Sequence, residues 1–140
     1  MVLSIRNQFA GRVIAVTVGS VMSTVRVLLA AGPEVTAAIT LEAVDELGLA
    51  EGVGVVVLFK STEVALATGA VPLISIRNQI PGTVAEVEHG EVMTTVKVAV
   101  RGGGTLTAAI TRDAAEELGL AEGTDVTALV KATEVILGLG

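Results

Sequence analysis

The stretch Ser4-Ile5-Arg6-Asn7-Gln8-Phe9-Ala10-Gly11 returns 71 positions later as Ser75-Ile76-Arg77-Asn78-Gln79-Ile80-Pro81-Gly82. Held at that offset, residues 4–67 align with 75–138 without a gap, and 35 of the 64 pairs are identical. Gly19 matches Gly90, Gly32 matches Gly103, and the run Thr36-Ala37-Ala38-Ile39-Thr40 matches Thr107-Ala108-Ala109-Ile110-Thr111. A repeat has to be recognised before a fold is assigned, because it sets the size of the folding unit. With only two copies it is a tandem duplication, not a solenoid. The chain divides into a first unit over 1–68, a linker over 69–74 and a second unit over 75–140.

Within one unit, residues 4–18 read as a long first strand, and Gly19-Ser20 turns it into a second over 21–30. Ala31-Gly32-Pro33 is a turn signal, replaced in the second unit by Gly102-Gly103-Gly104. A third strand over 34–39 leads to Thr40, where the pattern changes. A capping hydroxyl, early acids (Glu42, Asp45) and a closing Gly48 describe a short helix. The apolar run 53–60, ending in Lys60, reads as a fourth strand and 63–67 as a fifth. The many valines favour strands, since β-branched side chains suit a pleated surface. Five short strands with one helix between the third and fourth suit a small barrel of the OB type. The expectation is an all-β chain of two tandem OB-fold-like five-stranded barrels, each with one short helix. The short linker leaves little freedom, so the barrels are expected to pack together.

Composition narrows the function. A unit of about 65 residues is marginal alone, so its core is expected to be shared with its twin or with other chains. Of the 140 residues 51% are hydrophobic, yet two phenylalanines are the only aromatics, so the core must be aliphatic. Without cysteine, disulfides and thiolate metal sites are excluded, which fits a reducing compartment. A net charge of −6 argues against nucleic acid as a partner, because phosphate contacts need clustered Lys and Arg. The apolar stretch 13–22 resembles a secretion signal, but it recurs at 84–93 and so belongs to the domain. No run reaches the roughly 18 apolar residues of a membrane span. A soluble, cytoplasmic protein without membrane contact is expected.

Catalysis is not expected. The lone histidine, His89, has Val18 as its counterpart and reads as a solvated turn residue. No Ser-His-Asp set can be assembled around it. The acids sit mostly in the helices, and no phosphate loop is present. What recurs is a set of donors: Ser4 and Arg6 with Ser75 and Arg77, Thr40 with Thr111, and Lys60 with Lys131. Arg offers a planar fork matched to oxyanions, Lys a compact charge, and hydroxyl and backbone N–H groups neutral donors. Such a set suits a tetrahedral oxyanion and not a bare metal cation, since no acid or imidazole recurs beside it. The same residues also fit plainer roles: Arg6 and Lys60 as solvated strand-end charges, Ser4 and Asn7 as turn formers, Thr40 as a helix cap only.

The combination resembles the Mop domain of the molbindins, in the tandem di-Mop form. The matching residues are Ser4-Ile5-Arg6-Asn7-Gln8 with Gly11, Gly19-x-Val21, Ala38-Ile39-Thr40, Leu47-Gly48-Leu49 with Gly52, and Lys60-Ser61-Thr62-x-Val64, each with a partner in the second unit. The resemblance implies binding of molybdate, and of tungstate, without chemical change, in intracellular storage or homeostasis and with no organic cofactor. It implies a homotrimer with sites between subunits. Carried over, the interfacial site comprises Ser4, Arg6, Lys60, Ser61 and, from a neighbouring subunit, Thr40. In the second unit it comprises Ser75, Arg77, Lys131, Ala132 and Thr111. The Ser61/Ala132 difference is harmless if the backbone N–H is the donor. Ile5 and Ile76 stand where Ala is commoner and are expected to point away from the donors. A second kind of site, on a threefold axis, would use Val21, Met22 and Ser23 with Val92, Met93 and Thr94, mostly through backbone N–H groups; plain strand packing is the other reading there. Mop domains also occur in molybdate-responsive regulators and transporters, so an anion-responsive regulatory or interaction module is the alternative function. No helix-turn-helix segment precedes residue 4, so the binding module alone is expected.

Overall fold

Alternation of buried and exposed residues marks a sheet with one face on a core. It runs through the strands of the computed structural model, which describes residues 2–140. The first half forms β1 (Asn7–Val18), β2 (Met22–Leu29), β3 (Glu34–Thr40), α1 (Leu41–Leu47), β4 (Gly54–Phe59) and β5 (Ala65–Ala67). The second half repeats this as β6 (Asn78–His89), β7 (Met93–Val100), β8 (Thr105–Thr111), α2 (Arg112–Glu117), β9 (Asp125–Val130) and β10 (Ile136–Gly138). Each helix starts as its sequence predicts. Thr40 Oγ1 accepts the Ala43 N–H at 3.1 Å, and Thr111 Oγ1 accepts the Ala114 N–H at 3.1 Å. Gly48, at φ 63°, ends α1 in the left-handed region that glycine adopts without strain.

The strands make two curled five-stranded antiparallel sheets, ordered β10-β4-β1-β2-β3 and β5-β9-β6-β7-β8. A bulge between Val13 and Ala15, and another between Val84 and Glu86, interrupts each long strand where it bends. The expected all-β architecture of two OB-like barrels with one short helix each is therefore present. The fifth strand departs from expectation. β5 does not return to its own sheet but pairs with β9, Ala65 opposite Leu129, while β10 pairs with β4, Ile136 opposite Leu58. Each half completes the other's sheet.

The buried residues form one continuous cluster through both sheets. Val13, Val25, Val27 and Val57 stand in the first, and Val84, Val96, Val98 and Ala128 in the second. Aliphatic packing dominates, as the composition requires; Phe9 and Phe59 add one stacked pair with centroids 5.8 Å apart. Two asparagines join the barrels. Asn7 donates through Nδ2 to the Thr107 carbonyl and accepts the Thr107 N–H, both at 2.8 Å. Asn78 does the same to Thr36, at 2.8 and 2.7 Å. Both are buried, so they serve as backbone mimics on an edge strand and not as turn formers. Between the barrels Gly102 lies so close to the Ala31 carbonyl oxygen that a Cβ would clash with it. Among the described residues, no helix is long and apolar enough to cross a membrane.

Candidate functional site

The ladder between β1 and β4 sets Asn7 opposite Phe59, which puts Arg6 and Lys60 one step beyond its end. On one side the chain is irregular through Ser4 to Arg6; on the other it enters a 3₁₀ turn, Ser61–Glu63. Between them lies a hollow of about 210 Å³ lined by Ser4, Ile5, Arg6, Lys60, Ser61 and Thr62. The second half repeats it, about 240 Å³, with Ser75, Ile76, Arg77, Lys131, Ala132 and Thr133. Four of the five expected residues in each set are thus brought together. Ile5 and Ile76 line the hollows as well. The hollows also take in Thr62 and Thr133, which the sequence marked only as part of the motif Lys60-Ser61-Thr62-x-Val64 and its repeat.

Arg6 is oriented by its own backbone: Nε donates to the Ser4 carbonyl at 3.1 Å and Nη2 to the Leu3 carbonyl at 2.9 Å. Arg77 repeats this with Ser75 and Ile74 at 3.0 and 2.8 Å. Gln8 Nε2 donates to the Ile5 carbonyl at 2.9 Å, tightening the same bend. These bonds end the strand at Asn7 and leave three of the five guanidinium N–H groups free. The ion pairs among the described residues are Arg26–Glu34 at 2.8 Å and Arg112–Glu116 at 2.9 Å. Arg6, Lys60, Arg77 and Lys131 enter neither. Like charges opposite one another across strands destabilise a sheet, so each hollow holds two cations whose repulsion an anion would relieve. Among the described residues no group of His, Cys, Asp and Glu could hold a metal ion.

Thr40 and Thr111 are not in these hollows. Thr40 ends β3 opposite Met22, and β2 in turn pairs with the Val18 end of β1, away from Arg6. Thr111 lies four residues beyond Thr107, the partner of Asn7, a span of about 13 Å along β8. Both hydroxyls accept the capping N–H groups and keep their own protons as donors. The six residues considered for the axis site divide by face. Val21, Met22, Val92 and Met93 are exposed, at 70, 47, 73 and 44%. Ser23 and Thr94 point into the core, where the Ser23 hydroxyl has no hydrogen-bond partner and Thr94 Oγ1 bonds His89 Nδ1 at 2.9 Å. His89 therefore ends a strand with a defined partner instead of sitting free in a turn.

Fold and donor set together describe a duplicated β-barrel module with paired hollows of anion-binding chemistry. The chain belongs to the TOBE domain family, which matches residues 3–66 and again 74–137, and it is a tandem Mop-type member of the molbindin kind. It is 42% identical over 137 residues to the molybdenum-pterin-binding protein MopB of Rhodobacter capsulatus, covering 97% of this chain and 51% of the relative. It is 39% identical over 140 residues to the molybdenum transport protein ModE of Herbaspirillum seropedicae, covering 99% of this chain and 52% of that one. The chain spans about half the length of these curated relatives. Its structure matches that of the cytoplasmic molybdate-binding protein ModG with molybdate bound, at TM-score 0.97 and 40% identity over the whole of both chains.

Proposed function

We propose that this protein binds molybdate, and tungstate as its close analogue, without altering it, and serves storage or homeostasis of the oxyanion in the cytoplasm. The observation that carries this reading is the pair of hollows, each presenting an arginine and a lysine that no carboxylate neutralises. The full-length match to ModG supports the ligand. Ser4, Arg6, Lys60 and Ser61 hold the anion in the first half, and Ser75, Arg77, Lys131 and Ala132 in the second. Three chains assemble so that Thr40 and Thr111 reach a neighbour's hollow, which their distance from the hollows of their own chain supports. Backbone N–H groups of 21–23 and 92–94 would supply the axis site.

Equilibrium dialysis with molybdate, with sulfate as competitor, tests the reading. Hydrogen bonds to charged groups contribute about 1.5–3 kcal/mol each, so Arg6→Ala combined with Arg77→Ala should weaken binding at least tenfold, by about 1.4 kcal/mol or more. No molybdate uptake at micromolar concentration overturns it. A second reading, an anion-responsive module acting on a regulator or transporter, draws support from the ModE relatives, which are about twice as long. Capture of a transport or regulatory protein in only one ligand state would favour it.

A further inference from the structure

The two hollows differ in a single lining side chain. Ser4, Ile5, Arg6, Lys60 and Thr62 have identical counterparts in Ser75, Ile76, Arg77, Lys131 and Thr133, whereas Ser61 corresponds to Ala132. The backbone around that position is the same in both. Lys60 accepts the Glu63 N–H at 3.0 Å and Ser61 the Val64 N–H at 3.4 Å; Lys131 and Ala132 accept Glu134 and Val135 at the same distances. Lys60 stands at φ −71°, ψ 143° and Lys131 at φ −64°, ψ 140°. The turn therefore forms equally well with Ser or Ala, and the hydroxyl is not needed to make it. Ser61 is half-buried beside Lys60, and among the described residues its hydroxyl takes part in no hydrogen bond.

We infer that Ser61 makes the two sites unequal: its hydroxyl adds a neutral donor to the first-half hollow, which then binds a tetrahedral oxyanion more tightly than the second. The inference rests on the proposed oxyanion binding and goes beyond it, because a backbone donor alone would leave the two halves alike. One hydrogen bond from a neutral hydroxyl to a charged oxyanion separates the affinities by about ten- to a hundredfold. Ser4 and Ser75 are present in both hollows and cancel in the comparison, so the single chain carries its own control.

The test titrates the full chain with molybdate by calorimetry after silencing one half. Arg77→Ala with Lys131→Ala leaves the first-half site; Arg6→Ala with Lys60→Ala leaves the second. The first should bind about ten- to a hundredfold tighter. Ser61→Ala should remove that advantage, and Ala132→Ser should confer it on the second-half site. Equal affinities, or a Ser61→Ala change without effect, overturn the inference while leaving the proposed function standing. If the unaltered chain takes up no molybdate, both fall. Without silencing, Ser61→Ala should lower the affinity of the tighter hollow to that of the weaker one and Ala132→Ser should raise the weaker to the tighter, so the readout survives if a silenced variant does not fold.

Discussion

Asn7 and Asn78 each satisfy one N–H and one carbonyl on an edge strand of the opposite barrel, and both are buried. Replacing a partner of a buried polar group leaves that group desolvated and unpaired, at about 1–3 kcal/mol for each group stranded. Asn7→Leu keeps the branched shape but strands both Thr107 groups, so it should lower stability by at least about 2 kcal/mol. Gln8→Leu, next along, loses one exposed bond to Ile5 and should cost under about 1 kcal/mol. Urea denaturation of the two variants measures this, and equal midpoints would remove the bridging role. The repeat already flagged Asn7, since Asn78 matches it, but nothing in the residue type says where a side chain points. An asparagine ahead of a strand suits a turn equally well, and only the neighbouring barrel turns it into a backbone mimic. Arg6 and Lys60 were easier to anticipate, because the ends of two paired strands meet wherever those strands pair. The facing of Ile5 was not legible for the matching reason: it lies in irregular chain before β1, where the period-2 rule for facing does not hold.

Strand exchange shows the limit of sequence reading at the scale of elements. The strands, turns and helices were legible from valine runs, glycine punctuation and the Thr40 to Gly48 cap pattern. The partner of the fifth strand was not. Because the halves are so alike, β5 finds nearly the same residues on β9 as on β4: Val55, Val57 and Phe59 in one, Val126, Ala128 and Val130 in the other. Local complementarity does not choose between them; the path of the chain does. A consequence can be measured. Deleting 136–140 removes β10, which pairs only with β4, through Leu58, Val57 and Val56. Hydrogen exchange should then accelerate at those β4 amides in the first-half sheet, while β9, still covered by β5, keeps its protection. Faster exchange in β9 with β4 unchanged would mean that each fifth strand belongs to its own half.

At the scale of the whole molecule, the apolar surface and the charge oppose each other. Val18, Val21 and Met22 are exposed at the helix end of the first barrel, with Val92 and Met93 in the matching place on the second. Exposed apolar side chains gathered in this way mark interaction surfaces, and Thr40 and Thr111 stand directly opposite Met22 and Met93 in the ladders. In the proposed trimer, covering those patches with other copies of the chain would also carry the threonines to a neighbour's hollow, and assembly and site completion would be one event. Chains of net charge −6 repel one another, so association must draw on this burial and on the ligand. Met22→Glu with Met93→Glu removes apolar area and adds repulsion at the same surface. For the proposed trimer, light scattering should then fall from three times the 14.1 kDa chain mass to the mass of one chain. Since a ligand that binds only the assembled state stabilises it by RT ln(1 + [L]/Kd), about 2.7 kcal/mol at a hundredfold excess over Kd, saturating molybdate should push the variant part of the way back. The same variant carrying Arg6→Ala and Arg77→Ala should stay monomeric at any molybdate concentration. A trimer that survives the two glutamates unchanged would place the interface elsewhere, and a monomeric variant indifferent to molybdate would uncouple assembly from the hollows.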